Sequence, residues 1–134
     1  MNLLTYFRQK QSTKLFLFIL LSILLLVGGC GYDDNVKVVR NGNFYDYPNI
    51  PIGEAFDDFF EDSKWESFTS DDNRIIVDFK GKCLYNDKKA NVHMQFTLYN
   101  NQSFEVTYSS INDVPINILM HGGLIYKVMD SYEK

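Results

Sequence analysis

Cysteine, histidine, serine and carboxylate are the side chains here that could do chemistry, and their spacing narrows the choice. Cys83, His93 and His121 would make a nucleophile–base pair only if the fold brings the thiol to an imidazole. Cys83 and His93 fall on opposite faces of a strand pair with alternating pattern. That separates them by the thickness of the sheet, and Cys83 reads as an apolar filler. His93 reads as a surface residue on a polar strand face. Ser109-Ser110 lacks a Gly-x-Ser-x-Gly context. The sequence has no HExxH, no phosphate-cradling glycine loop and no paired cysteines. Nothing specific supports an enzyme, so we expect a non-catalytic chain with no cofactor and no metal.

The carboxylates cluster. Glu54, Asp57, Asp58, Glu61, Asp62, Glu66, Asp71 and Asp72 form a belt relieved only by Lys64. Calcium needs six to eight oxygens held by a loop, and no spacing here resembles that loop. Asp57/Glu61 and Asp58/Asp62 are i,i+4 pairs of like charge, slightly destabilising on a helix. The bland reading is a solvated helix face, and the functional one is a surface for a basic partner. Aromatics make up 16% of the chain, and Tyr32, Tyr45, Tyr47, Tyr99, Tyr126 and Tyr132 sit near element ends. Tyrosine suits interfaces, because it offers contact area at low entropy cost. The candidate partner-binding residues are therefore Phe44, Tyr45 and Tyr47, beside Asp57, Asp58 and Glu61.

Cys30 is read from what precedes it. Residues 1–14 carry Arg8, Lys10 and Lys14 and no acid, residues 15–27 are apolar except Ser22, and Gly28-Gly29 follow. A basic segment, an apolar run and small residues are the parts of a secretory signal. A spanning helix needs about 20 apolar residues, more than this run supplies. With Cys30 after two glycines, the leader resembles a bacterial lipobox. That resemblance implies cleavage before Cys30, acylation of its thiol with chains such as palmitate, and often acylation of the new amino group. Gly31 in place of Asp implies the outer membrane in a Gram-negative host. In a Gram-positive host the protein would face outward from the single membrane. The expected organisation is a signal peptide over 1–29, a lipidated cysteine and tether over 30–35, and one globular domain over 36–134.

Removing the three leader charges takes the net charge from −4 to −7. Such a body is repelled by nucleic acid and anionic headgroups, so the lipid must supply membrane affinity. With Cys30 acylated, Cys83 has no cysteine partner, and the core must hold the fold.

The elements follow from periodicity. Residues 36–40 have strand composition, Asn41-Gly42 suits a hairpin turn, and 43–47 could return as a strand. Ile52, Ala55, Phe56, Phe59 and Phe60 form one apolar stripe and predict a helix over 52–62. Residues 65–69 predict a short strand. Alternation over 74–85, 90–98 and 104–109 predicts a three-strand meander, apolar on one face and wet on the other. Arg74, Asp78, Lys80 and Lys82 fall on the wet face. Residues 112–115 are expected to open a last helix from 116 to about 132, with a stripe of Ile116, Leu119, Met120, Leu124 and Val128. Gly122-Gly123 predict a kink or a close approach to the sheet. The expected fold is α+β: a helix, an antiparallel meander of about four strands, and a C-terminal helix packed on one sheet face.

Four segments also resemble a group of small, uncharacterised bacterial lipoproteins: Val36-Lys37-Val38-Val39-Arg40-Asn41-Gly42, Ile52-Gly53-Glu54-Ala55-Phe56, Lys64-Trp65-Glu66-Ser67-Phe68 and Val77-Asp78-Phe79-Lys80-Gly81-Lys82-Cys83. That pattern has Thr where this chain has Pro51, which removes a capping box with Glu54. The resemblance implies an envelope lipoprotein and no particular activity. At fold level, lipoproteins of the BamE/OmlA type and β-lactamase-inhibitor-like domains are similar, and fold does not fix function. The favoured expectation is a lipid-anchored envelope protein that binds an envelope protein partner. The alternatives are an inhibitor or immunity-type lipoprotein against a basic toxin or hydrolase, and a small-ligand carrier using the apolar sheet face.

Overall fold

Alternating side chains from 61 onward build an antiparallel sheet in a computed structural model that describes residues 31–132. The leader and Cys30 lie outside the described residues. Strand β1 (Glu61–Thr69) pairs with β2 (Ile75–Tyr85), then β3 (Lys88–Leu98), β4 (Phe104–Ile111) and a short β5 (Val114–Pro115), in that spatial order. Asn86 and Asp87 both take positive φ (50° and 60°) and make a two-residue turn. Such turns match the twist of the strands they join, and this one fixes the long β2–β3 register, with Asp78 opposite Gln95 and Lys80 opposite His93.

Asn112 and Asp113 make the same kind of turn (φ 50° and 64°) and send Val114-Pro115 back along β4. Residues 112–115 therefore close a hairpin instead of opening the last helix. Asn112 is pinned to β3 through Asn91, whose backbone N–H donates to its Oδ1 at 2.9 Å.

Residues 36–47 are not a strand pair. Helix α1 spans Asp34–Asn41 and buries Val36 and Val39, three apart on one side. Asp33 caps it, accepting from the Val36 N–H at 3.0 Å, and Asp34 and Arg40 sit at the dipole ends that favour them. This cap lies inside the expected tether, so the folded part begins earlier than 36. Asn41-Gly42 ends the helix, with the Gly42 N–H donating to Val39 O at 3.1 Å.

Helix α2 (Ile52–Phe59) buries Ile52, Ala55 and Phe56, the expected stripe, and Pro51 leaves it without a side-chain cap. It stops short of 62 because Phe60 is extended (φ −99°, ψ 136°) and Glu61 already pairs in β1. The like-charge helix pairs of Asp57 with Glu61 and Asp58 with Asp62 therefore do not form.

Helix α3 (Ile118–Tyr132) is started by Asn117, whose Oδ1 accepts from the Met120 N–H at 3.0 Å. Val128 and Met129 are buried. Leu119 and Met120 are not on the buried stripe: they are 82% and 42% exposed. The helix runs through Gly122-Gly123, and a Cβ at either would meet nothing within 4 Å. The pair mediates no close approach.

All three described helices cover one sheet face, an α+β fold. Val36, Val39, Ile52, Phe56, Val128 and Met129 join Trp65, Val77, Phe79, Val92, Met94 and Phe96 in one cluster. Phe56 is central, with ring centroids 4.9 Å from Phe79, 5.5 Å from Phe60 and 5.6 Å from Trp65. Each such ring contributes about 1.5–3 kcal/mol by burial.

Candidate functional site

The six partner-binding candidates differ in exposure and engagement. Tyr45 is 97% exposed, while Phe44 and Tyr47 are half-buried and packed against the core. Asp57 is a structural carboxylate. It accepts from Arg40 Nη2 at 2.7 Å and from Trp65 Nε1 at 3.1 Å. Arg40 also stacks over Tyr32, 4.1 Å from the ring centroid. Asp57 thus ties α1, α2 and β1 together. Glu61 is held at 2.8 Å by Lys89, and Asp62 at 2.8 Å by Lys82, which together with Lys89 and Lys64 keeps the Asp62 carboxyl below its usual range. The belt is therefore split between a helix and a strand and is neutralised in part from within.

A different surface is exposed and apolar. At the start of α3, Ile118 and Leu119 are 85% and 82% exposed, and Val114 just before them is 65% exposed. Two shallow grooves lie here, sharing Val106 and His121, and Ile118 lines the smaller. One, of about 240 Å³, is lined by Val106, Tyr108, Ile116 and His121. The other, of about 440 Å³, is lined by Phe44, Tyr45, Phe104 and His121. The first turns of α3 thus project past the sheet, while its last turns seal the core. Clustered apolar side chains on a surface mark interaction sites. Sequence periodicity placed Leu119 in the core, because the helical stripe does not reveal where the sheet beneath it ends.

The opposite, open face of the sheet carries a polar concavity of about 550 Å³, whose lining includes Asp62, Lys64, Lys80, His93, Ser110 and Asp113. Pairing puts Lys64, Lys80, His93 and Ser110 in one row across β1, β2, β3 and β4. Beside the row lies Asp78, only 3% exposed despite its position on the wet face. Its carboxylate meets His93 Nε2 at 2.6 Å, accepts from Gln95 Nε2 at 2.9 Å, and lies 3.5 Å from Lys80 Nζ. His93 is consequently fixed by a buried carboxylate and by an edge-on contact with Tyr108, and is not a free surface residue. The alternation pattern hid this cluster, because it sorts polar residues to solvent. The Asn86-Asp87 turn carried the missing register.

A histidine and a serine are neighbours on each face, but only one pair is hydrogen-bonded. On the helix side Ser109 Oγ and His121 Nδ1 are 2.8 Å apart, and burial pushes the His121 pKa down. A nucleophile–base pair is present there, but among the described contacts no third group orients the imidazole. On the open side His93 has its carboxylate, while the Ser110 hydroxyl, across from it in register, makes no hydrogen bond. Each face thus holds two of the three linked roles. Cys83 packs against the core on the helix side, away from His93, and burial pushes its thiol pKa up. No group of three or more metal-ligating side chains occurs among the described residues. No described helix is long and apolar enough to cross a membrane.

No protein-family model matches this chain, and no characterised protein or solved structure is significantly similar to it.

Proposed function

We propose that this is a lipid-anchored cell-envelope protein whose folded domain binds another protein and catalyses no reaction. The anchor is the acylated Cys30, and the domain faces the periplasm or the cell exterior. The reading of the leader rests on its basic segment, its short apolar run and the Gly-Gly-Cys order. The binding role rests on one observation: Ile118 and Leu119, the apolar start of α3, stand in solvent, and the groove that Ile118 lines shares Val106 and His121 with the groove lined by Phe44 and Tyr45. Burying such a patch against a partner would contribute about 25 cal/mol per Å² of apolar area, and the parent fold does not need it covered. The proposed contact keeps Tyr45 from the original candidates and replaces the carboxylates with the α3 start. An inhibitor aimed at a basic toxin draws on the acidic belt, and internal pairing of Asp57, Glu61 and Asp62 weakens that support.

The test has two arms. Metabolic labelling with an alkyne fatty acid should mark the wild type and not Cys30→Ala. Affinity purification from envelope extracts should recover one dominant partner, lost with Leu119→Asp. An unlabelled wild type would remove the anchor. Co-purification indifferent to Leu119→Asp would remove the surface.

A further inference from the structure

We infer that the open face of the sheet holds a small molecule bearing an oxyanion, a carboxylate or a phosphate, across the row Lys64, Lys80, His93 and Ser110. The row is set by register. Strands lie about 4.8 Å apart, so four neighbouring positions span roughly 14 Å on one face. The concavity above them, about 550 Å³, is of the size that small-molecule sites occupy.

The row itself carries two lysines and no carboxylate, while Asp62 and Asp113 line the concavity beside it. Lys64 stands directly opposite Lys80 on the neighbouring strand. Like charges in directly opposed positions destabilise a sheet. Lys80 Nζ lies 3.5 Å from Asp78 Oδ2, a long ion pair, while His93 and Gln95 both engage Oδ1. Lys82 is taken by Asp62. Among the described residues Lys64 has no ion-pair partner at contact distance, and its charge reaches Asp62, itself paired with Lys82, only at longer range. A bound oxyanion between Lys64 and Lys80 turns the repulsion into attraction.

The far end of the row carries an independent sign. Ser110 is 1% exposed, lines the concavity, and its Oγ has no hydrogen-bond partner. A buried hydroxyl left unpaired costs about 1–3 kcal/mol, and such groups are retained where a ligand or reaction uses them. The rim is strained too. Asp62 adopts φ 54° where β1 slips register between Glu61 and Lys64. Bulges of this kind re-aim side chains beside binding sites. The protein as a whole is acidic, with net charge −4. That field repels long polyanions and leaves a short, locally cationic row suited to a small one. The site does not depend on the protein-docking surface, which lies on the helix-bearing side.

The experiment is thermal unfolding of the full chain in maltoside micelles, titrated with sodium phosphate, with sodium glucuronate, and with sodium chloride at matched ionic strength. At least one oxyanion should raise Tm saturably beyond chloride. Phosphate alone would identify a phosphate ligand, glucuronate alone a carboxylate. Lys64→Met should weaken the response about tenfold or more, the loss of one charge-assisted hydrogen bond. Ser110→Ala should weaken the glucuronate response, which needs a ligand long enough to reach β4, more than the phosphate response, without lowering Tm. If neither oxyanion exceeds chloride, or Lys64→Met responds like wild type, the site does not exist.

Discussion

Replacing Asp57 by alanine should destabilise the domain sharply, although an acidic residue on an exposed helix face is ordinarily dispensable. Asp57 is 36% exposed at its side chain and its partner Arg40 only 16%. Breaking a fully buried ion pair by deleting one partner costs about 3–5 kcal/mol, and an exposed pair is worth about 0–1. The intermediate burial of this pair places its loss near 2 kcal/mol. Arg40 Nη1 is already buried without a partner, so the orphaned guanidinium has little to fall back on. The Trp65 N–H loses its acceptor as well, at about 1 kcal/mol. Asp57→Ala should therefore cost about 2–3 kcal/mol, a Tm drop of roughly 10–20 °C for a domain of this size. Asp58, one residue on, has no such partners, and Asp58→Ala should stay within about 0.5 kcal/mol. The assay is urea unfolding followed by circular dichroism and by fluorescence of the single tryptophan. Equal, small losses in the two variants would refute the structural role of Asp57.

Four further outcomes are expected. Gly122→Ala with Gly123→Ala should add about 1–2 kcal/mol, since neither Cβ meets anything within 4 Å. Gly81→Ala should remove about 1–3, because its Cβ would lie 2.8 Å from Phe60 and Phe79; paired urea curves decide both. Burial holds the His121 pKa below 6.5, so on acidification the unfolded chain takes the proton first. Stability present above pH 6.5 is then lost as pH falls towards the folded-state pKa. The stability difference between wild type and His121→Asn should narrow over that window, and a constant difference would contradict it. Cys83, with its thiol pKa raised by burial, should react with iodoacetamide at pH 8 more slowly than free cysteine. Equal rates would place it in solvent.

Period-two alternation exposed the meander, and the stripe from Ile52 to Phe56 exposed α2, because both patterns are written by burial on one face. Helix α1 was concealed by valines. Val36 and Val39 have strand propensity, and only the Asp33 cap and their three-residue spacing favour a helix. The hairpin at Asn112-Asp113 was hidden because Asn and Asp before an apolar segment also suit a helix start. At the sites, the exposed start of α3 depends on where α3 meets the sheet edge, and the Asp78–His93 contact depends on strand register. Neither is a local property of the chain. The engagement of Asp57 by Arg40 spans 17 positions between two helices, and composition alone made it one more surface acid.

The most direct measurement is photo-crosslinking in cells from a reactive amino acid placed at Leu119, with one at Leu84 as control. Leu84 is also exposed, at 64%, but sits near the end of β2 on the open face, which carries no described helix. A dominant adduct with one envelope protein from position 119, absent from position 84 and lost with Cys30→Ala, is the predicted result. No adduct from 119, or the same adducts from both positions, would contradict the proposal that the start of α3 is the docking surface of an anchored protein.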